Sequence, residues 1–563
     1  MYKLHRFLVD YDMTMLRALA QSRGVALTTN RQAEAVDELA FRLLDPLSVR
    51  TALARLSPGG CEALEVLLAA GGRMRAPHFA RRFGQVQPIG PGRLERETRW
   101  LEPANPAEEL WYAGLIFRAF HQDEVGPGEF LFIPEDLLPL LPQPKLAPPA
   151  FAVEIVSTPP PRQPDDLALI YDLFAYLVYL QNHDVRPYAD GRLAQHDQVA
   201  LRQRLANTDD RRFALLSHLA RRLGFVIQSG GYLRLEARPV KQWLTATSAH
   251  HLAVLQGAWR DDPTWNDLCR VPALACDQET PWQNDSVATR RALLALLGHC
   301  PLGVWWTSDS FIAAVKETHP DFQRPDGDYT SWYLHDPVSG DYLSGFEAWD
   351  RVEGALIADL LTGPLSWLGI VATGETGTVC CLTEAGARFL GPSHEEPEEQ
   401  PSPPIIVHPD FRIEIPPPAN LYTRFQVERF TDPSSPSSSG QRPQAREVRT
   451  FHLTVGSLGR ALARGVRIEQ VLAFLQQVSE RPVPPNVVGQ LHLWAGRFGQ
   501  VELEEVTVLR VKNEQVLKEL SLLPETRSLI GEVLSPTSVL VRKRDIARLR
   551  KELQALGYLQ LEE

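Results

Sequence analysis

Apolar residues recur at three- and four-residue intervals along several long stretches of this chain. Three of those stretches stop at a glycine. The stops read Tyr112-Ala113-Gly114-Leu115, Arg222-Leu223-Gly224-Phe225 and Trp367-Leu368-Gly369-Ile370. Each is followed by an apolar segment, a polar or glycine-rich turn and a second apolar segment. Glycine just past the last helical turn takes a left-handed conformation at little cost, so it ends a helix cleanly. The pattern therefore predicts a helix, a glycine cap and a two-stranded hairpin, three times over.

Helix, cap and hairpin in that order is the sequence shape of a winged-helix domain, a form of helix-turn-helix. The expected fold class is mainly α with small β wings, from multiple winged-helix domains, plus a C-terminal α+β domain. Residues 1–44 read as an N-terminal helical segment, with Leu16, Leu19 and Ala20 at helical spacing. A winged-helix-like domain follows at 45–141, with helices expected over 47–70, 76–84 and 107–113. Residues 142–164 are a proline-rich linker, stiff and extended. The second winged-helix domain, 165–246, carries the stripe Leu167, Ile170, Leu173, Phe174 and Leu177. Its later helices are expected over 191–204 and 209–223, the last capped by Asp209 or Asp210. A third, acidic domain spans 247–390, with helices near 287–298, 307–318 and 346–362. An acidic, proline-rich linker at 391–404 leads to the final domain, 405–563, which holds a disordered insertion near 432–444.

Charge changes the picture locally. The chain carries 58 basic and 69 acidic residues for a net charge of −11, so its whole surface is not built to coat nucleic acid. Only 8 of the basic residues are lysine. Residues 71–100 hold seven arginines against two glutamates, and residues 201–224 hold six arginines against two aspartates. On the expected third helix of the second domain, Phe213, Leu216, Leu219 and Leu223 form an apolar back. Arg211, His218 and Arg222 then share the opposite side. An apolar back with a basic front is what groove docking requires. The expected DNA-contacting residues are Arg211, Arg212, His218, Arg221, Arg222, Arg81, Arg82 and Arg234. A solvated arginine face is the plainer account of the same residues. Residues 321–361 are the reverse, with nine acidic residues against two arginines, and would repel phosphate. Trp332, Tyr333, Tyr342 and Trp349 lie there, as core or as anchors for a protein partner.

The last domain contains Val407-His408-Pro409-Asp410-Phe411, Ile415-Pro416-Pro417, Phe451-His452-Leu453-Thr454 and Ser457-Leu458. Ala461-Leu462-Ala463-Arg464-Gly465, Val471-Leu472-Ala473-Phe474-Leu475, Pro484-Pro485-Asn486-Val487, Leu493-Trp494-Ala495 and Leu556-Gly557-Tyr558 follow in order. Together they resemble the N-terminal-type domain of XPB-type DNA helicases, also found in bacterial helicase-associated proteins. The resemblance implies an accessory role beside DNA repair or transcription. It does not imply unwinding, because no G-x-x-x-x-G-K-[ST] phosphate loop is present. A basic cluster, Arg542, Lys543, Arg544, Arg548, Arg550 and Lys551, sits on the expected last helix as a solvated face or a nucleic-acid contact.

No catalytic residue, cofactor or metal site is expected. Asp326-Gly327-Asp328 lacks the remaining ligands of a calcium loop, and no serine stands in G-x-S-x-G. Of the six cysteines none forms a C-x-x-C pair. Cys269, Cys276 and His299-Cys300 gather a metal only if the fold brings them together, and the cysteine usage fits a reducing cytoplasm. No run is long and apolar enough for a membrane. The reading is a non-catalytic, cytoplasmic, nucleoid-associated protein that binds DNA weakly and mostly non-specifically. Its expected docking partner is an XPB-type helicase or another repair or transcription factor. Two alternatives stay open: a protein-interaction scaffold without DNA contact, and a winged-helix transcription regulator.

Overall fold

The structure is a computed structural model that describes residues 2–123, 126–144, 150–158, 168–189, 191–277, 280, 282–391, 402–417, 420–434, 448–500 and 506–558. Much of both expected linkers, Leu167 and most of the insertion near 432–444 lie outside the described residues. Two compact units are formed. The first comprises the described residues up to Pro403 with Pro417–Arg429; the second comprises those of Pro404–Pro416, Phe430–Ser435 and Val448–Glu563.

In the first unit one order of elements recurs. Helix Pro58–Ala69, strand Arg73–Arg75 and helices Ala76–Phe83, Pro91–Glu97 and Pro106–Tyr112 lead into hairpin Phe117–Gln122 and Pro127–Phe132. The sheet places the first strand beside the last, with Arg73 opposite Phe132 and Arg75 opposite Phe130. Helix Ser286–Leu297, strand Trp305–Thr307, helices Ser308–Thr318, Ala355–Thr362 and Pro364–Trp367, and hairpin Val371–Thr373 and Val379–Leu382 follow the same general order, with the short strand Leu334–His335 inserted. Again the first strand lies beside the last, with Trp306 opposite Cys380. Between them, helices Ala168–Asn182, Gln195–Arg202 and Asp210–Arg222 precede hairpin Val226–Ser229 and Tyr232–Leu235. Here a single bond replaces the extra strand: the Leu233 N–H donates to the Val185 carbonyl at 2.9 Å. The capping glycines Gly114, Gly224 and Gly369 all have positive φ, at 63°, 69° and 63°. That is the left-handed turn for which the three stops were read.

Local chemistry sets the element ends. The helix expected over 47–70 is two helices, Pro46–Arg55 and Pro58–Ala69. Proline at 58 cannot continue a helix, and Ser57 restarts one by accepting from the Gly60 N–H at 3.0 Å. Of the two candidate caps, Asp209 serves helix Asp210–Arg222, accepting from the Arg211 N–H at 2.7 Å. Such a cap contributes about 1 kcal/mol. Helices Leu4–Val9, Met13–Ser22 and Gln32–Leu43 bury Leu4, Leu8, Leu16 and Leu39 against Phe117, Phe130 and Phe132 of the first hairpin. Helix Leu421–Val427 buries Leu421 and Phe425 in the core shared by the modules that carry hairpins 226–235 and 371–382, the second and third in chain order.

The second unit opens with a four-stranded antiparallel sheet of Ile406–Val407, Arg412–Ile415, Arg449–His452 and Asp432–Pro433. Helices Val455–Ala463, Ile468–Val478 and Pro485–Arg497 follow. It ends in a smaller three-stranded sheet of Thr507–Arg510, Val533–Ser535 and Ser538–Val541, with helices Glu514–Leu522, Pro524–Arg527 and Ile546–Ala555. No helix among the described residues is long and apolar enough to cross a membrane.

Candidate nucleic-acid interface

Helix Asp210–Arg222 positions five of the eight residues expected to meet DNA. Its buried face is Leu215, Leu216, Leu219 and Ala220, with Arg212 among them; Phe213 and Leu223 are only half-buried. Arg212 is thus turned into the core. It pairs with Asp172, the two side chains being 4% and 2% exposed. The Ala206 N–H also donates to that carboxylate. A cation so placed holds the helix to Ala168–Asn182 and reaches no external ligand.

The front of the helix is partly occupied from within the same unit. One Arg211 nitrogen reaches both carboxylate oxygens of Asp359, at 2.7 and 2.6 Å. The His218 Nε2 lies 2.6 Å from Asp262, whose other oxygen is 3.9 Å from Arg222. Burial pushes the Asp262 carboxyl up, but hydrogen bonds from Thr264 and His218 outweigh it and hold the group below its ordinary value. Burial prevails at Asp359 and raises it despite Arg211. Arg81 donates to Asp321 at 2.7 Å and lies over the Phe346 ring at 4.5 Å. Arg82 pairs with Glu62, and Arg234 with Asp184 at 2.6 Å. The acidic segment 321–361 therefore supplies counter-ions to arginines of the first and second modules, through Asp321 and Asp359. Of its aromatics, Trp349 is buried and Trp332 stacks on Trp282 at 5.3 Å, while Tyr333 and Tyr342 are exposed.

Arg221 stands apart. It is exposed, and among the described residues its guanidinium donates only to a backbone carbonyl, that of Gly191, at 3.2 Å. It lines a cleft of about 580 Å³ together with Arg192, Arg202, Arg270, Tyr176 and Trp265. Arg270 lies on the Trp265 ring at 3.6 Å and makes no ion pair among the described residues. Burial pulls its guanidinium below the ordinary value, and Asp267 offsets that only in part. The Tyr176 side chain is fully buried, yet its hydroxyl has no hydrogen-bond partner among the described residues. Burial raises this phenol to about 12, so it stays a donor at neutral pH. Arg202 is already matched by Asp210 at 2.5 Å. Among the described residues the cleft thus offers two cations without carboxylate partners beside an aromatic wall, with the unpaired Tyr176 hydroxyl buried in its lining. That inventory suits a phosphate or other oxyanion.

Of these cleft residues, Arg221 is among the expected DNA contacts, while Tyr176, Trp265 and Arg270 are not. With Arg221 they come from three separate segments, and nothing in the spacing of the chain announces that they meet. Cys269 and Cys276, read as thiols of a reducing compartment, are joined in a disulfide. Among the described residues no group of three or more His, Cys, Asp or Glu could hold a metal ion.

In the second unit the quoted motifs assemble. His408 to Phe411 form a tight turn in which the Phe411 N–H donates to the His408 carbonyl at 3.1 Å, and Phe411 adopts φ 69°. The Asn486 amide donates to the Pro409 carbonyl at 2.8 Å, and the Trp494 ring sits 5.4 Å from Phe411. Thr454 caps helix Val455–Ala463 in a reciprocal box with Ser457. Residues 405–535 match the family described as helicase conserved C-terminal domain. The match links this part of the chain, 131 of 563 residues, to helicase-related proteins. No curated protein was found to match the chain.

Proposed function

We propose that this chain is a non-catalytic, DNA-associated accessory protein in which winged-helix modules meet the phosphate backbone and the last domain, of XPB-associated type, docks a helicase or another repair or transcription factor. The observation that carries the DNA contact is the cleft beside helix Asp210–Arg222. There, among the described residues, Arg221 and Arg270 have no carboxylate partner and the buried Tyr176 hydroxyl has no hydrogen-bond partner. Support for the winged-helix reading comes from the repeated order of helix, strand, several helices and hairpin, with the first strand beside the last. Support for the docking partner comes from the helicase-family match and the motifs around Phe411 and Thr454. The missing phosphate loop supports a role without a motor.

The test is fluorescence anisotropy of a labelled duplex titrated with the full chain from 50 to 200 mM salt. Arg221→Glu with Arg270→Glu is expected to weaken binding and flatten its salt dependence by about two units of slope. An unchanged titration removes the cleft from the proposal.

A second reading has its own observation. Arg81 and Arg211, expected to face DNA, are spent on Asp321 and Asp359. If wild-type chain binds no duplex at low salt, the modules act as a protein-interaction scaffold whose basic helices hold the acidic module in place.

A further inference from the structure

The small sheet at the end of the second unit repeats the strand order of the first and third modules. Strand Thr507–Arg510 lies beside the last strand, Ser538–Val541, which also pairs with the middle one, Val533–Ser535. Helices Glu514–Leu522 and Pro524–Arg527 fall between the first and middle strands, where those modules also carry helices. Its core is Leu520, Leu529, Val541, Leu549 and Leu553. This is a fourth module of the same plan, without the glycine cap and glycine turn that mark the others.

Its charge is arranged differently. Residues 542–551 hold six basic side chains against one carboxylate, in a chain whose net charge is −11. Leu549 and Leu553 anchor the back of helix Ile546–Ala555. Arg548 and Lys551, three positions apart, share the opposite face. Arg542, Lys543, Arg548, Arg550 and Lys551 are all exposed, and none makes an ion pair among the described residues. Among the described residues only Arg544 has a counter-ion near, Asp545 at 3.7 Å. In the first unit, by contrast, Arg81, Arg82, Arg211, Arg212 and Arg234 each have a carboxylate. Like charges gathered without internal counter-ions repel one another in the free protein, and a polyanion relieves that repulsion.

We infer that the face of the fourth module built by Arg542, Lys543, Arg548, Arg550 and Lys551 is a docking surface for the phosphate backbone of duplex nucleic acid. Two anchors favour nucleic acid over an acidic protein. The cations are spread along a helix and the turn before it, as contacts to successive phosphates require. The module that presents them also has a helix–hairpin plan that lends itself to duplex docking. The surface is separate from the cleft around Arg221, so the inference goes beyond that site and stands or falls without it.

The experiment is the anisotropy titration of a random-sequence duplex with the full chain, comparing wild type, Arg548→Glu/Lys551→Glu, Arg548→Gln/Lys551→Gln and Arg221→Glu/Arg270→Glu, with unchanged melting as the check on folding. The glutamate pair at 548 and 551 is expected to lose roughly tenfold or more in affinity at low salt and about two units of salt slope, with a smaller loss for the glutamine pair. Loss there but not at 221 and 270 supports this surface and removes the cleft; loss at 221 and 270 alone does the reverse. Wild type that fails to bind duplex overturns both. Competition by polyglutamate as effective as by duplex of equal charge overturns the nucleic-acid assignment.

Discussion

One Arg211 nitrogen spans both carboxylate oxygens of Asp359, 148 positions later in the chain, at 2.7 and 2.6 Å. The arginine side chain is 40% exposed and the aspartate 11%. A residue at the front of a helix expected to face a polyanion is therefore matched by a carboxylate from the acidic module. The pair shows how a chain can carry basic helices and an acidic segment without presenting either charge in full.

The asymmetry of burial fixes the order of mutational costs. Arg211→Ala strands a mostly buried carboxylate and is expected to destabilise the first unit by about 1–3 kcal/mol. Asp359→Asn leaves a half-exposed guanidinium that water can solvate, and costs less. A double-mutant cycle by chemical denaturation checks this, with a coupling of about 1 kcal/mol expected. A larger cost for Asp359→Asn than for Arg211→Ala contradicts the arrangement.

Acid titration separates Asp359 from Asp262. Burial raises Asp359, so the folded state holds that proton to higher pH than the unfolded chain does. Its contribution is fullest below the ordinary aspartate value, about 3.9, and declines as pH rises through the raised one. Asp262 is held low, so its contribution is present above about 3.9 and is lost as pH falls toward its depressed value. Melting temperatures between pH 3 and 7 should show Asp359→Asn removing part of the decline with rising pH. Asp262→Asn should remove part of the loss in acid.

What was legible in the chain was local. Gly114, Gly224 and Gly369 gave away three hairpins because a helix end and a tight turn are decided within a few residues. Arg212 carried a local signal too: it precedes Leu215 and Leu216 by one helical turn and so belongs to the buried stripe. Only its partner, Asp172, was out of reach of local reasoning. The cleft was not legible, since Tyr176, Arg221, Trp265 and Arg270 meet through tertiary packing alone. The fourth module escaped because its hairpin turns at Pro536-Thr537, with no glycine to flag it.

Arg290 is the residue on which the cleft wall depends. It is fully buried and donates to Asp267 at 2.6 Å and to the carbonyls of Trp259 and Asp262 at 2.8 and 2.7 Å. It also donates to the carbonyl of Trp265 itself. Arg290→Met removes the charge facing Asp267 and is expected to cost about 3–5 kcal/mol. Arg290→Lys should rescue little, because one ammonium cannot replace a fork reaching four acceptors. Thermal melts of both variants check this, and near-complete rescue by lysine speaks against it.

The disulfide between Cys269 and Cys276 closes a short loop next to the same wall, at a sequence separation of 7. Cys269 adjoins Arg270 in the single turn Leu268–Arg270, and Cys276 pairs with Leu334 in a two-stranded ladder. The crosslink therefore ties the segment that carries Arg270 to a strand anchored elsewhere in the third module. Closing so short a loop limits the unfolded chain by about 2–3 kcal/mol. Cys269→Ser/Cys276→Ser is expected to lower the melting temperature of the first unit under non-reducing conditions, and dithiothreitol should bring wild type down to the variant without moving the variant. If Arg270 contacts phosphate, duplex affinity should fall in parallel, because a loosened segment loses entropy on binding. A wild-type protein whose melting ignores reductant would show that the bond contributes nothing to holding this wall.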